Sequence, residues 1–480
     1  MKNVTSGKSI GLKRFKVITE YVIKLSELLE NYDGKFKDQK IIRALSPKEK
    51  EQIRSLGTSV DDIVQAELIE KYAHHDTASA TDLIKIKIAK EIPALGNYIE
   101  AVHFANTSED IMGNVFGLIL NELIYEHVVP NILNWSENMI NFVKKYEETG
   151  PLILPGLTHK QAAEPTTLGK KILTRIRAID YSIRSMMDNS GEFIPFSGKL
   201  GGAIGNLTTH YAAYPDIKWE SFAKDFVEGF NLTYEEMTDQ SVSYVVEATQ
   251  FAHINNILTQ IIKLSEDFRD YVQTPAQFFV KTKVKGQKGS SVMPNKTNLW
   301  AIEGALKMLK KTKSQLAFYM DELPTYSDEG DMGRSYLLRS LGDIFMPMVI
   351  GLKRISRETN SCHPDYEKIN AFFEEYPGMS GSSIQTVMKR ARVKGDAYRV
   401  IEKISINSDG TYANSEQFKH GLEEKMDELN LSDNLKTELR SLLIKENLVK
   451  SAHNLVTKNM KILDHNIALY RNKLIKYKTK

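Results

Sequence analysis

Gly286-Gln287-Lys288-Gly289-Ser290-Ser291-Val292-Met293-Pro294-Asn295-Lys296-Thr297-Asn298 is the stretch around which this 480-residue chain is organised. Its two glycines, Gly286 and Gly289, free the backbone to flex. Behind it Leu299, Trp300, Ile302, Leu306, Leu309 and Leu316 recur at helical spacing, so a long buried helix begins there. A glycine-hinged loop thus delivers two hydroxyls, a lysine and an asparagine to a helix N-terminus, where amides and a fixed cation suit an anion. The plainer reading is a polar loop between domains.

The composition is ordinary for a soluble globular protein, 41% hydrophobic and 26% charged, and the length allows two to four domains. The 64 Lys and Arg nearly balance 61 Asp and Glu, and a net charge of +3 gives no argument for nucleic-acid or membrane partners. One cysteine, Cys362, excludes an internal disulfide or a multi-cysteine metal site and fits a reducing compartment. The first residues lack the apolar core of a signal peptide, and no apolar run has membrane-spanning length. A cytoplasmic protein is the expectation.

Outward from the loop, helical periodicity dominates. Residues 13–29 carry one apolar stripe, and Ser46-Pro47-Lys48-Glu49 has the cap, proline and early acid of a helix start. Residues 60–72 and the segment ending at Pro93 are also helical, with Ala73-His74-His75-Asp76 between them. Adjacent histidines diverge on a helix, so at most one faces a given site, and a structural histidine is the alternative. His103-Phe104-Ala105-Asn106-Thr107-Ser108-Glu109-Asp110 reads as a helix cap, or as a helix start that receives a carboxylate. Residues 111–146 are apolar at helical spacing and broken only by Pro130, which predicts a kinked continuous helix in an extended bundle. Residues 155–169 read as a polar bend, and residues 197–206 as a mainly architectural glycine turn with Lys199 a weak candidate ligand. Residues 244–271 and 344–355 are apolar helices, and the lysine-rich residues 458–480 a solvated surface helix.

Gly289-Ser290-Ser291-Val292-Met293-Pro294-Asn295-Lys296-Thr297-Asn298 resembles the GSSxMPxKxN signature of the fumarase/aspartase superfamily. Five or more fixed residue types in order make it a specific motif. The flanking segments resemble the adenylosuccinate lyase branch from about His75 to the end of the chain. That resemblance implies an all-α, three-domain fold whose central long-helix bundles form the 20-helix core of a homotetramer. The domains would be an N-terminal helical unit (1–105), a central bundle carrying the signature loop (106–362) and a C-terminal helical unit (363–480). It further implies a fumarate-releasing carbon–nitrogen lyase for a small-molecule dicarboxylate, with no metal or organic cofactor and active sites shared between subunits.

The residue roles follow from the same resemblance. Ser290, the first serine of the signature, would be the base. His159 matches the histidine of THGQPATPxTxG and would be the acid, supported by His75. Glu303 stands where a carboxylate orients a histidine. Thr107 and Ser108, matching HFAxTSED, would clamp the two carboxylates with Lys296 and Asn298. Asp76, Gln240, Ser335 and Arg339 complete the expected substrate contacts.

The chain departs from the branch at identifiable places. Lys160 replaces a glycine beside His159, where a cation would lower the imidazole pKa or reach a substrate anion. Ser327 and Gly330 stand where the branch has the arginines of SRWQRD, and Asn295 replaces a histidine. The branch's Gly-Arg-Tyr element has no counterpart before Leu12. Parts that act on a succinyl group are kept, and parts that grip a nucleotide are thinned. The expected substrate is adenylosuccinate and/or its imidazole-carboxamide relative. The alternative is another N-succinyl or aspartate-derived amine without a phosphate. A non-catalytic relative would have lost Ser290, His159 or Lys296.

Overall fold

The computed structural model describes residues 3–147, 149–272, 277–283, 285–286, 288–293 and 297–477. Helix α1 (Gly7–Glu30) is capped by Ser6, whose Oγ accepts the Ser9 N–H at 3.2 Å. It buries Phe15, Ile18, Tyr21, Val22, Leu25 and Leu29, each contributing about 1.5–3 kcal/mol. Ser46 and Glu49 form the expected capping box on the helix Pro47–Ser55. The helix Val60–Ala73 ends at His74, which is left-handed at φ 51°, and α2 (Asp76–Glu91) starts from His75 as its N-cap. The two histidines therefore lie in a joint between helices, not along one. This agrees with the sequence reading, which set Ala73-His74-His75-Asp76 between two helical segments.

Helix α3 (Ser108–Asn121) and α4 (Val129–Glu147) are continuous through a π-helical turn, Glu122–Val128. Pro130 has no N–H to give and its ring would meet the carbonyl four residues back. The wider turn, with the Val129 N–H on Ile124 O, sits immediately ahead of it. Residues 155–169 do not form an open bend. Strands β1 (Ile153–Thr158) and β2 (Gln161–Thr167) pair antiparallel, with a register shift between Pro155 and Leu157. Gly156 is needed there, since a Cβ on it would lie 2.5 Å from Glu164 O.

Helix α5 (Leu168–Arg184) follows, then α6 (Val245–Val272), α7 (Trp300–Glu322), α8 (Gly333–Arg339) and α9 (Leu341–Asn360). Helices α6 and α9 run the same way. Phe251 meets Phe345 near their starts, and Lys281 just beyond α6 pairs with Glu358 near the end of α9. Helix α7 runs back between them, Thr312 Oγ1 donating to Ile344 O and Tyr319 OH to Leu337 O, both at 2.9 Å. The bundle thus has two ends. Residues 107–110, 240–244 and 326–341 gather at one, the Thr107 end. The β1–β2 hairpin and the loop that enters α7 gather at the other, the Ser290 end.

Residues 333–360 are long and apolar enough by composition to cross a membrane, yet half of that stretch is buried as bundle core. Beyond the bundle, Ile384, Met388, Ile401, Phe418, Leu422, Met426 and Leu439 bury a separate cluster. Helix α10 (Lys450–Leu474) then returns to the main core through Val456, Leu463, Ile467, Tyr470 and Leu474. It is solvated on one face only, and Tyr470 OH and Asn466 Nδ2 anchor it to Asp180 Oδ1 at 2.8 and 2.9 Å.

Candidate active site

At the Thr107 end the polar network centres on Asp110. Thr107 caps α3, and its N–H donates to Asp110 Oδ2 at 2.9 Å. The same carboxylate receives Gly201 N–H at 2.8 Å and Gly202 N–H at 3.0 Å, and pairs with Lys199 Nζ at 3.0 Å. Both charged side chains are fully buried. Lys199 completes its donors on Gly202 O at 3.2 Å and Gln240 O at 2.8 Å, so it holds the turn together and has none left for a ligand. Upstream, His103 and Ala105 are left-handed at φ 67° and 59°, a strained path over-determined by its surroundings. Tyr21 OH donates to Phe104 O at 2.7 Å and Thr209 Oγ1 to Ala105 O at 3.2 Å. Thr107 and Ser108 are thus half-exposed hydroxyls on a tightly held helix start.

Gln240 is tied to the same network by its carbonyl, and its N–H donates to Glu329 O at 2.9 Å. That bond joins it to residues 326–332, which lead into α8. There Arg339 Nε reaches Ser335 Oγ at 3.3 Å and Arg339 Nη2 reaches Asp76 Oδ2 at 2.5 Å. Arg14 Nη2, from α1, reaches that same Asp76 oxygen at 2.5 Å. Desolvation alone would raise the Asp76 carboxyl, but Arg14 and Arg339 together hold it below the usual carboxylate range. Asp76, expected to touch substrate, spends its charge inside the protein. These residues, with His75 and Ser335, line a cavity of about 390 Å³ that Glu67 and Glu70 also face. His75 is about half exposed, and its Nδ1 accepts the Ala78 N–H at 3.4 Å.

The Ser290 end is built differently. Ser290 Oγ accepts two amides of its own loop, Val292 N–H at 3.3 Å and Met293 N–H at 3.1 Å. Asn298 is half-buried ahead of α7, and Glu303 is exposed in the first turn of that helix. Lys296 and Asn295 lie outside the described residues. His159 and Lys160 are the exposed tip of the hairpin, both left-handed at φ 52° and 64°. Such a two-residue turn usually selects Asn-Gly, so neither residue is there for the turn's sake. Lys160 Nζ pairs with Asp270 Oδ2 at 2.6 Å, which raises its own pKa. It is engaged with α6 rather than with the imidazole beside it.

The chain brings His75, Thr107, Ser108, Gln240, Ser335 and Arg339 to one end, and His159, Ser290, Asn298 and Glu303 to the other. Helix α6 has 28 residues, so its ends stand roughly 40 Å apart. Tyr244, just before it, belongs to the Thr107 end, and Asp270, in its last turn, holds the His159 hairpin. No single protomer joins the two sets. Sequence reasoning passed over Arg14 and Arg334. Arg14 could have been flagged as a cation on the buried stripe of α1 with Ile18, Tyr21 and Leu25. Arg334 gave no such signal.

Residues 19–311 match the lyase family. The adenylosuccinate lyase of Dictyostelium discoideum is 26% identical over 436 residues, covering 89% of this chain and 88% of that protein. The adenylosuccinate lyase of Escherichia coli (strain K12) is 26% identical over 384 residues, 80% of each. Among solved structures, fumarate lyase from Mesorhizobium sp. BNC1 superposes with a TM-score of 0.67 at 13% identity, over 96% of this chain and 97% of that one. The beta-carboxy-cis,cis-muconate cycloisomerase of Acinetobacter calcoaceticus sp. ADP1 gives 0.62 at 14%, over 97% of both. The likeness to these two structures is one of fold. The chain belongs to the lyase family and is an enzyme of the fumarase/aspartase superfamily, a divergent member similar to the adenylosuccinate lyases.

Proposed function

We propose that the chain releases fumarate from an N-succinyl amine by β-elimination, in a homotetramer whose active sites combine the Thr107 end of one protomer with the Ser290 ends of others. Ser290 Oγ takes the proton from the carbon beside one carboxylate. The C–H electrons become the new double bond, the C–N bond breaks, and the nitrogen takes a proton from His159. The two loop amides on Ser290 Oγ favour its ionised form. Thr107 and Ser108 take one carboxylate at the α3 N-terminus, where helix amides favour negative charge. Asn298 and Lys296 approach the other from the signature loop, and Glu303 orients a histidine.

The observation that carries this reading is the start of α3, fixed by a fully buried carboxylate–ammonium pair beneath half-exposed hydroxyls. Such a rigid donor set is what a carboxylate gaining charge in a transition state requires. The test is fumarate release from adenylosuccinate, from its imidazole-carboxamide relative and from each lacking its phosphate. Fumarate from at least one, lost in Ser290→Ala, is expected. None from any of them returns the chain to a non-catalytic scaffold.

A second reading concerns the amine. In the cavity around Ser335 the Arg14 and Arg339 charges meet those of Asp76, Glu67 and Glu70, so a phosphate dianion would find no net positive lining there. This favours an unphosphorylated leaving group. An equal or higher kcat/KM for the dephosphorylated substrate is expected. A tenfold or greater preference for adenylosuccinate would restore the purine-biosynthetic reading.

A further inference from the structure

Gly330 stands where the resemblance places an arginine, but the space in front of it is filled. A Cβ on Gly330 would lie 2.8 Å from Gln240 Oε1 and 3.4 Å from Arg334 Nη2. The guanidinium that occupies this corner therefore comes from position 334, in the first turn of α8. Arg334 is 5% exposed. Its guanidinium lies 3.9 Å from the Tyr326 ring centroid and 5.6 Å from that of Tyr244, and Tyr326 is itself fixed by its OH on Asp239 Oδ2 at 2.7 Å. Nη2 donates to Asp331 O at 3.4 Å, while Nη1 is buried with no acceptor among the described residues.

A buried, charged donor without an acceptor is costly, so this geometry calls for an incoming one. Its surroundings say of what kind. Arg14 and Arg339, the other arginines at this end, are already bridged by Asp76. Glu109, next to Ser108, is an acid close enough to feel the Arg334 charge, but among the described residues no ion pair joins the two. Burial pushes the Glu109 carboxyl up while Arg334 pulls it down. Arg334 thus holds its charge in the corner shared with Gln240 and near Glu109, the residue after Ser108 at the start of α3, with no carboxylate bonded to its guanidinium among the described residues.

We infer that Arg334 is a substrate-binding residue whose Nη1 donates to a carboxylate of the succinyl group, beside Thr107 and Ser108. It rests on the dicarboxylate reading above and adds a residue from this chain's own sequence to it. Binding can be read without turnover. Titrating fumarate and succinate into the full-length oligomer by calorimetry is expected to show both bound by wild type. Arg334→Gln should weaken them about tenfold, the scale of one charge-assisted hydrogen bond. Arg334→Lys keeps the charge without the planar fork and should recover part of that loss. Adenosine, the amine that dephosphorylated adenylosuccinate would leave, should bind all three proteins alike.

Equal fumarate affinity in wild type and Arg334→Gln overturns the assignment, as does a parallel loss for fumarate and amine, which a merely structural role in the 326–332 segment would give. Wild type that binds neither dicarboxylate overturns it as well. Wild type that binds fumarate and loses it in Arg334→Gln, yet turns over no succinyl amine, supports the assignment while sinking the elimination reading.

Discussion

At the Thr107 end, polar groups are spent on one another: Asp110 on three backbone amides and Lys199, and Asp76 on two arginines. At the Ser290 end they stand in the open: among the described residues Ser290 Oγ bonds to amides of its own loop, and His159 rides the tip of a two-stranded hairpin. One end is a network already assembled, as the proposed carboxylate receptor would have to be. The other carries the proposed proton-transfer groups on an exposed loop and an exposed hairpin tip, outside the core. Preorganised donors avoid reorganisation during reaction, whereas groups that close over a substrate need freedom to arrive.

The sharpest way to break this contrast is to disable one end at a time. Ser290→Ala should cost roughly 10²–10⁴-fold in fumarate release with unchanged thermal stability. Thr107→Ala should also impair catalysis, and co-refolded mixtures of the two should recover activity that neither has alone. Mixtures as inactive as their parents would mean the ends do not meet between protomers. Next in size is Asp110→Asn, which leaves Lys199 buried without its counter-charge. Urea unfolding should show a loss of about 3–5 kcal/mol, and a loss below about 1 kcal/mol would deny the receptor its rigidity.

A third test uses pH. His210 is fully buried against Tyr21 and Trp219, and desolvation lowers its pKa to about 4. The unfolded chain binds the proton near 6.5, so between the two values the unfolded state is more protonated. Its stability contribution is whole above 6.5 and is lost as pH falls toward 4, a span worth roughly 3 kcal/mol. His210→Gln should flatten that part of the stability–pH curve. The smallest effect belongs to the open end. Lys160→Ala breaks an exposed ion pair and should change stability by under about 1 kcal/mol.

The sequence made the helices legible because their apolar stripes and caps are local signals. Ser46, Thr107 and the long run after Leu299 each announce an element within a few residues. The hairpin at 153–167 was not legible, since His159-Lys160 lacks the Asn-Gly chemistry its turn would ordinarily show. The turn at 197–206 read as mainly architectural with Lys199 a weak candidate ligand, but the partners that occupy Lys199 lie 89 residues back at Asp110 and 41 residues on at Gln240, which no local pattern connects. Arg334 was invisible for the same reason. Its meaning depends on Gly330, Tyr244 and Tyr326 folding around it.

The wide turn at Glu122–Val128 has a consequence for how this chain tolerates insertions and deletions. Each residue advances an α-helix by about 100°. A π-helical turn holds one residue more than an α-turn, so deleting one between 122 and 128 would let the segment close as an α-turn and leave Trp135, Met139 and Phe142 facing the interior, whereas a deletion between 131 and 134 would rotate them by that angle. The wide turn is thus the one place between Thr107 and Phe142 where the described helix can lose a residue and keep its phase.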